Sequence, residues 1–201
     1  MNIEGLRFGP LGDRVVHAAI DMQRLFAEET EWASPLVHAI APTVARICAH
    51  APHRTLFTRF ITPDEGDEMP GQWRIYYKKW KSLLALQPDL LDLLPALRGF
   101  TPPARVVDKY VHSAFEAPAF QANLHDWNAD TIVFTGVETD VCVLATALTA
   151  VDRGYRTILV SDAIASSDAK GHEGAMRTIY PRFDQQIEVI DSNTLLEAWK
   201  P

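Results

Sequence analysis

Residues 131–154 read TIVFTGVETDVCVLATALTAVDRG. Four residues, TIVF, are apolar on both faces, as a buried parallel strand requires. After a short polar turn, Val141, Leu144, Ala147, Leu148 and Val151 recur at helical spacing, and Gly154 supplies a stop. The stretch is therefore a strand that turns directly into a helix, with Cys142 in the first helical turn and Thr139 or Asp140 as its N-cap.

The same alternation recurs along the chain. Strands are expected at 15–20 (VVHAAI), 55–61 (TLFTRFI), 104–107 (ARVV), 131–134, 157–160 (TILV) and 187–190 (IEVI). Helices are expected near 36–50, 72–98, 116–127, 140–153, 170–180 and 192–199. Six strand–helix alternations in 201 residues predict one α/β domain over 1–201, a three-layer α/β/α arrangement around a mainly parallel six-stranded sheet. Strand order is not readable from the pattern.

Composition narrows the function classes. The apolar share is 47% and the charged share 22%, ordinary values for a globular protein. A net charge of −7, with basic residues scattered apart from YYKKWK (76–81), lacks the basic stripe that nucleic acid requires. The opening MNIEGLRFGPLGDR has no apolar signal core, and no apolar run reaches membrane-spanning length. Cys48 and Cys142 do not make a disulfide framework, so a reducing cytoplasm is the expected setting. The expected partner is a small molecule, with no nucleic acid and no membrane.

Parallel sheets bind ligands beyond the carboxyl ends of their strands. Three chemically useful side chains fall there: Asp21 after the first strand, Lys109 after the third and Cys142 after the fourth. A helix N-terminus offers free N–H groups and partial positive charge, which favour thiolate and can hold an oxyanion. Free cysteine is also among the most buried residue types, so position alone leaves Cys142 as core or nucleophile. Asp21 alone reads equally as a turn cap, and Lys109 as a solvated lysine. Together they form a unit in which an acid takes the thiol proton and a lysine steadies both anions. Cys48, within ARICAHA (45–51), has no such setting and reads as core.

These residues carry a resemblance. The segments AAIDMQRLF (18–26), VVDKYVHSAF (106–115) and VFTGVETDVCVLATALTAVDRGYRTILVSDAIASS (133–167), with His172, resemble the isochorismatase-like cysteine hydrolase family, which includes nicotinamidases and N-carbamoylsarcosine amidohydrolase. The resemblance implies a triad of Asp21, Lys109 and Cys142. It also implies a cis peptide at Val137–Glu138 that turns the Glu138 N–H, beside that of Cys142, toward an oxyanion. The implied reaction is C–N cleavage of a small carboxamide, ureido or N-carbamoyl compound through a thioester. Asp21 would deprotonate Cys142, protonate the leaving amine and then activate water. Two other readings stay open: vinyl-ether hydrolysis with Asp21 as general acid, and a non-catalytic binding protein on the same fold. Homodimers or homotetramers are expected from the family's habit and from the apolar and aromatic surplus of the 72–86 segment.

The chain also departs from the family. Where nicotinamidase-like members carry an Asp-x-His metal site, this chain reads Thr58-Arg59-Phe60, so no metal and no cofactor are expected. Arg59 reads either as a pocket group for a substrate carboxylate or as a salt-bridged arginine at the sheet edge. His112 stands where relatives often carry an aromatic. Trp73, Tyr76, Tyr77, Trp80 and Leu84 share one helical face, as core, interface or pocket wall. The pocket candidates are Arg59, Trp73, Tyr77, Trp80, His112 and Phe115. The acidic loop TPDEGDEMPG (62–71) reads as a surface loop without EF-hand spacing. His172 reads as a capping or interface residue, and Asp162 as an acceptor for nearby backbone N–H groups.

Overall fold

A computed structural model describes residues 6–28 and 30–201; the first five residues, part of the opening segment read above, lie outside them. Six strands form one sheet: β1 (Val15–Ile20), β2 (Thr55–Phe60), β3 (Arg105–Lys109), β4 (Thr131–Val137), β5 (Arg156–Ala165) and β6 (Ile187–Ile190). All pairings are parallel and the order is β3-β2-β1-β4-β5-β6. Every residue of β1 and β4 is buried, which accounts for their unbroken apolar character.

Helix α1 (Pro35–His50) follows β1. Its start is written in the sequence: Ser34 accepts a hydrogen bond from the Leu36 N–H, and Pro35 occupies the first turn. Helices α2 (Trp73–Lys79), α3 (Pro95–Arg98), α4 (Pro118–Asp126), α5 (Cys142–Asp152), α6 (Ala169–Gly174) and α7 (Ser192–Ala198) complete the set. The path from β1 to β2 runs one way across the sheet, and that from β4 to β5 the other. Right-handed crossovers then put α1 and α5 on opposite faces. Helices α1 and α7 pack together, while α4 and α5 meet across residues 114–116. The three-layer expectation holds.

The expected helix at 72–98 does not form as one element. Helix α2 ends at Lys79, short 3₁₀ turns follow at Lys81–Leu83 and Pro88–Leu91, and α3 covers only Pro95–Arg98. The backbone leaves the helix at Trp80, with ψ of 46°, and turns at Ala85, with φ of +48°; two prolines beyond it then keep the helix from resuming. Each lacks an N–H and forces its predecessor out of the helical region, and Gln87 and Leu94 accordingly have ψ of 136° and 140°. The 170–180 segment is helical as expected, beginning as α6 and passing through a π-helical turn at Ala175–Ile179 into 3₁₀ geometry.

The order reverses between β1 and β4: β1 leads left to β2, β4 right to β5. Such a switch point opens a crevice at the carboxyl ends of the two strands. Asp21 leaves β1 there, and Val137 leads from β4 toward Cys142. Gly136 permits the close approach. It pairs with Ile20, has φ of +103°, and a Cβ on it would lie 2.0 Å from the Ile20 carbonyl oxygen. No described helix is long and apolar enough to cross a membrane.

Candidate active site

Asp21 occupies the first position beyond β1 with φ of +51°, a left-handed conformation that aspartate tolerates better than most residues. Its side chain is fully buried. Thr58 donates from Oγ1 to Asp21 Oδ1 at 2.6 Å and accepts from the Asp21 N–H at 3.0 Å. Lys109, at the end of β3, reaches across β2 and places Nζ 2.7 Å from Asp21 Oδ2. The same ammonium donates to the Val111 carbonyl at 3.1 Å and to Cys142 Sγ at 3.4 Å, and stands 4.5 Å from the Phe60 ring centre. Three residues from three strand ends thus meet around one ammonium.

The electrostatics follow from burial. Desolvation by itself would lower the Lys109 ammonium, but the Asp21 carboxylate and the Cys142 sulfur overcome it, and the net shift is upward. Desolvation holds the Cys142 thiol well above its ordinary value; Lys109 opposes this and Asp21 adds to it. Lys109 Nζ bridges the Asp21 carboxylate and the Cys142 sulfur. Neither Thr139 nor Asp140 caps α5; the cap position is Val141, with no side-chain bond. Thr139 Oγ1 instead lies 3.0 Å from His172 Nδ1, and Asp140 Oδ1 accepts from Ser166 Oγ at 2.6 Å.

The turn before α5 has a cis peptide at Val137–Glu138. Its Thr139, Val141 and Val143 amides donate to carbonyls of Ala165, Glu138 and Glu138. Those of Glu138, Asp140 and Cys142 have no hydrogen-bond acceptor among the described residues. Free donors beside the sulfur are what an oxyanion needs.

A cavity of about 350 Å³ opens over Cys142. Phe26, Trp32, Phe60, Tyr76 and Trp80 make aromatic walls, with Glu31, Lys79, His112, Glu138 and Ser167 as polar points. Trp32 is the hub: it stacks on Phe26 at 5.7 Å and 10°, and meets Phe60 and Trp80 edge-on at 5.6 and 5.9 Å. Of the expected pocket residues, Trp80 and His112 line the cavity, and four do not. Arg59 pairs in register with Asp108 and holds its carboxylate with Nε and Nη2 at 2.7 and 2.9 Å. Strand alternation points it to the face opposite Thr58 and Phe60. Trp73 lies behind the wall, packed on His112 at 4.9 Å. Tyr77 is buried against Trp73 and Tyr76. Phe115 packs on Phe120 and Tyr155, in the layer of α4 and α5.

Sequence reasoning missed Phe26, Glu31, Trp32, Phe60, Lys79, Val141, Ser167 and the Glu138 side chain in the wall, and Thr58 as the partner of Asp21. The rule that found Asp21 also covers Phe26 and Trp32, which lie in the loop leaving β1. Asp162 accepts from the Ser192 N–H at 2.8 Å, the structural task expected of it. Cys48 is core, its thiol pushed up to about 12 by burial. Among the described residues no group of three or more His, Cys, Asp or Glu is placed to hold a metal ion. Thr58 binds Asp21, and Phe60 covers Lys109.

The sequence pattern of the family described as "Isochorismatase domain" matches residues 16–193. Nicotinamidase 3 of Arabidopsis thaliana is 28% identical over 162 residues, covering 80% of this chain and 77% of that protein. Maleamate amidohydrolase of Pseudomonas putida is 32% identical over 87 residues, covering 43% of this chain and 41% of that protein. A solved cysteine hydrolase from Pseudomonas syringae pv. phaseolicola superposes with a TM-score of 0.81 at 22% identity, covering 98% of both chains.

Proposed function

The chain belongs to the isochorismatase domain family and is a hydrolase, and from that premise we propose that it is a cysteine-dependent amidohydrolase. It cleaves a C–N bond of a small carboxamide, ureido or N-carbamoyl compound through a thioester on Cys142. The observation that carries this reading is the buried contact of Asp21, Lys109 and Cys142 at the mouth of an aromatic-walled cavity. Two relatives named for amide substrates support it.

The chemistry runs from the geometry. Substrate enters between Trp32, Tyr76 and Trp80 with its carbonyl over the sulfur. As Sγ attacks the carbonyl carbon, Asp21 takes the thiol proton, and the Lys109 ammonium stabilises the charge that develops on sulfur. The Glu138 and Cys142 N–H groups hold the oxyanion. The tetrahedral intermediate collapses, the C–N bond breaks, and Asp21 returns the proton to the departing ammonia or amine. Water then hydrolyses the thioester.

Free, buried thiols at Cys48 and Cys142 fit a cytoplasmic setting. Exposed Ile75 and Tyr110 are apolar surface of the kind that self-association into a homodimer or homotetramer would cover. The test is ammonia release from a panel of primary amides, ureido acids and N-carbamoyl amino acids, by wild type and Cys142→Ala. The reading expects at least one substrate, with release abolished in the variant. Undiminished release by a folded Cys142→Ala would reject it, and vinyl-ether cleavage sparing that variant would point to Asp21 acid chemistry instead.

A further inference from the structure

We propose that the aromatic wall selects an amide carrying an alkylated ammonium group, the cation held by ring faces and by Glu31 at the mouth while the carbonyl sits over Cys142. This names a substrate class for the amidohydrolase reading above and rests on it.

The ring faces are the first observation. An aromatic face is electron-rich, and a cation within about 6 Å of the centroid is attracted to it, most strongly at tryptophan. Trp32 and Trp80 stand at 71° to one another with centroids 5.9 Å apart, and Phe60 meets Trp32 at 82° and 5.6 Å. Tyr76 approaches Trp32 and Trp80 at 6.0 and 6.4 Å. Rings set so steeply present faces in several directions around one cavity. Two of them already carry an ammonium. Lys79 Nζ stands 4.7 Å from the Trp80 centroid, and Lys109 Nζ stands 4.5 Å from that of Phe60.

Charge is the second observation. On the cavity wall, Glu31 and Glu138 set two carboxylates against the single ammonium of Lys79. Glu31 accepts from Ser82 Oγ and Glu138 from the Ser167 N–H at 2.9 Å. Neither carboxylate forms an ion pair among the described residues. Behind the wall, Asp21 offsets Lys109 at 2.7 Å. Burial, and then the Lys109 charge, lower His112, so it adds no positive charge at neutral pH. A substrate carboxylate would therefore meet two like charges and one opposite. An alkylated ammonium meets the reverse, and a quaternary one has no N–H that ring faces would leave unsatisfied.

The first experiment titrates Cys142→Ala by calorimetry with choline and with 3,3-dimethylbutan-1-ol, which has the same shape with carbon in place of the charged nitrogen. Choline should bind on the order of 10-fold more tightly. Glu31→Gln, added to Cys142→Ala, should cut that preference several-fold, and Lys79→Met should raise it. Both side chains are exposed, and melting temperatures verify folding. In turnover, wild type should hydrolyse 4-(trimethylammonio)butanamide with kcat/KM on the order of 10-fold above 5,5-dimethylhexanamide. The methylene spacer in this pair keeps the charge from activating the carbonyl through bonds. Equal binding of the two alcohols, equal turnover of the two amides, or weaker choline binding in Lys79→Met overturns the proposal. So does tighter binding of 3,3-dimethylbutanoate than of choline, which would give Lys79 a substrate carboxylate. A choline preference with neither amide hydrolysed would support the cation site and reject the amidohydrolase reading instead.

Discussion

Replacing Lys109 with Met removes the ammonium that Asp21 and Cys142 share. Both charged side chains are fully buried and their atoms lie 2.7 Å apart. At an effective dielectric near 20, that separation corresponds to about 6 kcal/mol of attraction. Desolvating each ion costs several kcal/mol, so the pair as a whole contributes little net stability. Breaking it from one side is different, because one charge is then left buried alone, at a cost of about 3–5 kcal/mol. The Lys109→Met and Asp21→Asn variants should each lose stability in that range. The double variant should lose far less than the sum, with a coupling energy of about 3 kcal/mol or more. Urea denaturation of the four proteins, read by far-UV circular dichroism, measures the cycle, and all three variants should release no ammonia from any amide. Additive losses, or a Lys109→Met loss below about 1 kcal/mol, would refute the reasoning that the two charges compensate each other.

Gly136→Ala should destabilise by on the order of 3 kcal/mol, since its Cβ meets the Ile20 carbonyl at a φ of +103°; a thermal midpoint equal to wild type would contradict the close-approach argument. His17 is fully buried between Thr55 Oγ1 and Thr135 Oγ1, and burial pushes it down to about 3. Its folded value lies below the unfolded value near 6.5, so its stabilising contribution is complete above that value and is lost as pH falls toward 3. Urea midpoints should drop between pH 7 and pH 5, equivalent to about 2 kcal/mol at pH 5, and His17→Leu should flatten that slope. Arg59→Ala should leave the Michaelis constant unchanged and cost under about 1 kcal/mol, because the half-buried guanidinium pairs with Asp108 away from the cavity; a raised Michaelis constant would restore Arg59 to the pocket.

The strands and the Asp21, Lys109 and Cys142 positions were legible because period, burial and chemistry agree there. TIVF and VVHAAI can only be buried strands, and polar residues just beyond such strands stand at the ligand edge. The 72–98 segment was misread because aromatic spacing at 73, 76, 77 and 80 continues in phase with Leu84. The backbone does not: it leaves the helix at Trp80 and turns at Ala85, and Pro88 and Pro95 then prevent one helix from resuming. Arg59 shows a different limit. Its side chain faces away from Phe60 because of strand alternation, but its partner Asp108 becomes visible only once β2 and β3 are in register. Trp32 lies in a loop whose path no periodicity describes, so its place at the centre of the aromatic wall comes from tertiary packing alone. For Cys142 the position at a helix terminus favours thiolate, while burial, a property of the assembled site, pushes the thiol up.

The central claim is that Asp21 takes the proton of Cys142 within the site. The most direct measurement is the iodoacetamide alkylation rate of Cys142 from pH 5 to pH 9, located by peptide mass spectrometry, with buried Cys48 as the internal reference. Passing the Cys142 proton to a neighbouring group inside the site, and not to solvent, frees the thiolate fraction from bulk pH across the neutral range. The account predicts alkylation of Cys142 well above Cys48, at a rate nearly level across neutral pH. A rate that climbs about tenfold per pH unit toward the ordinary thiol value near 8.5 would show ionisation to solvent and contradict it, as would labelling no faster than Cys48.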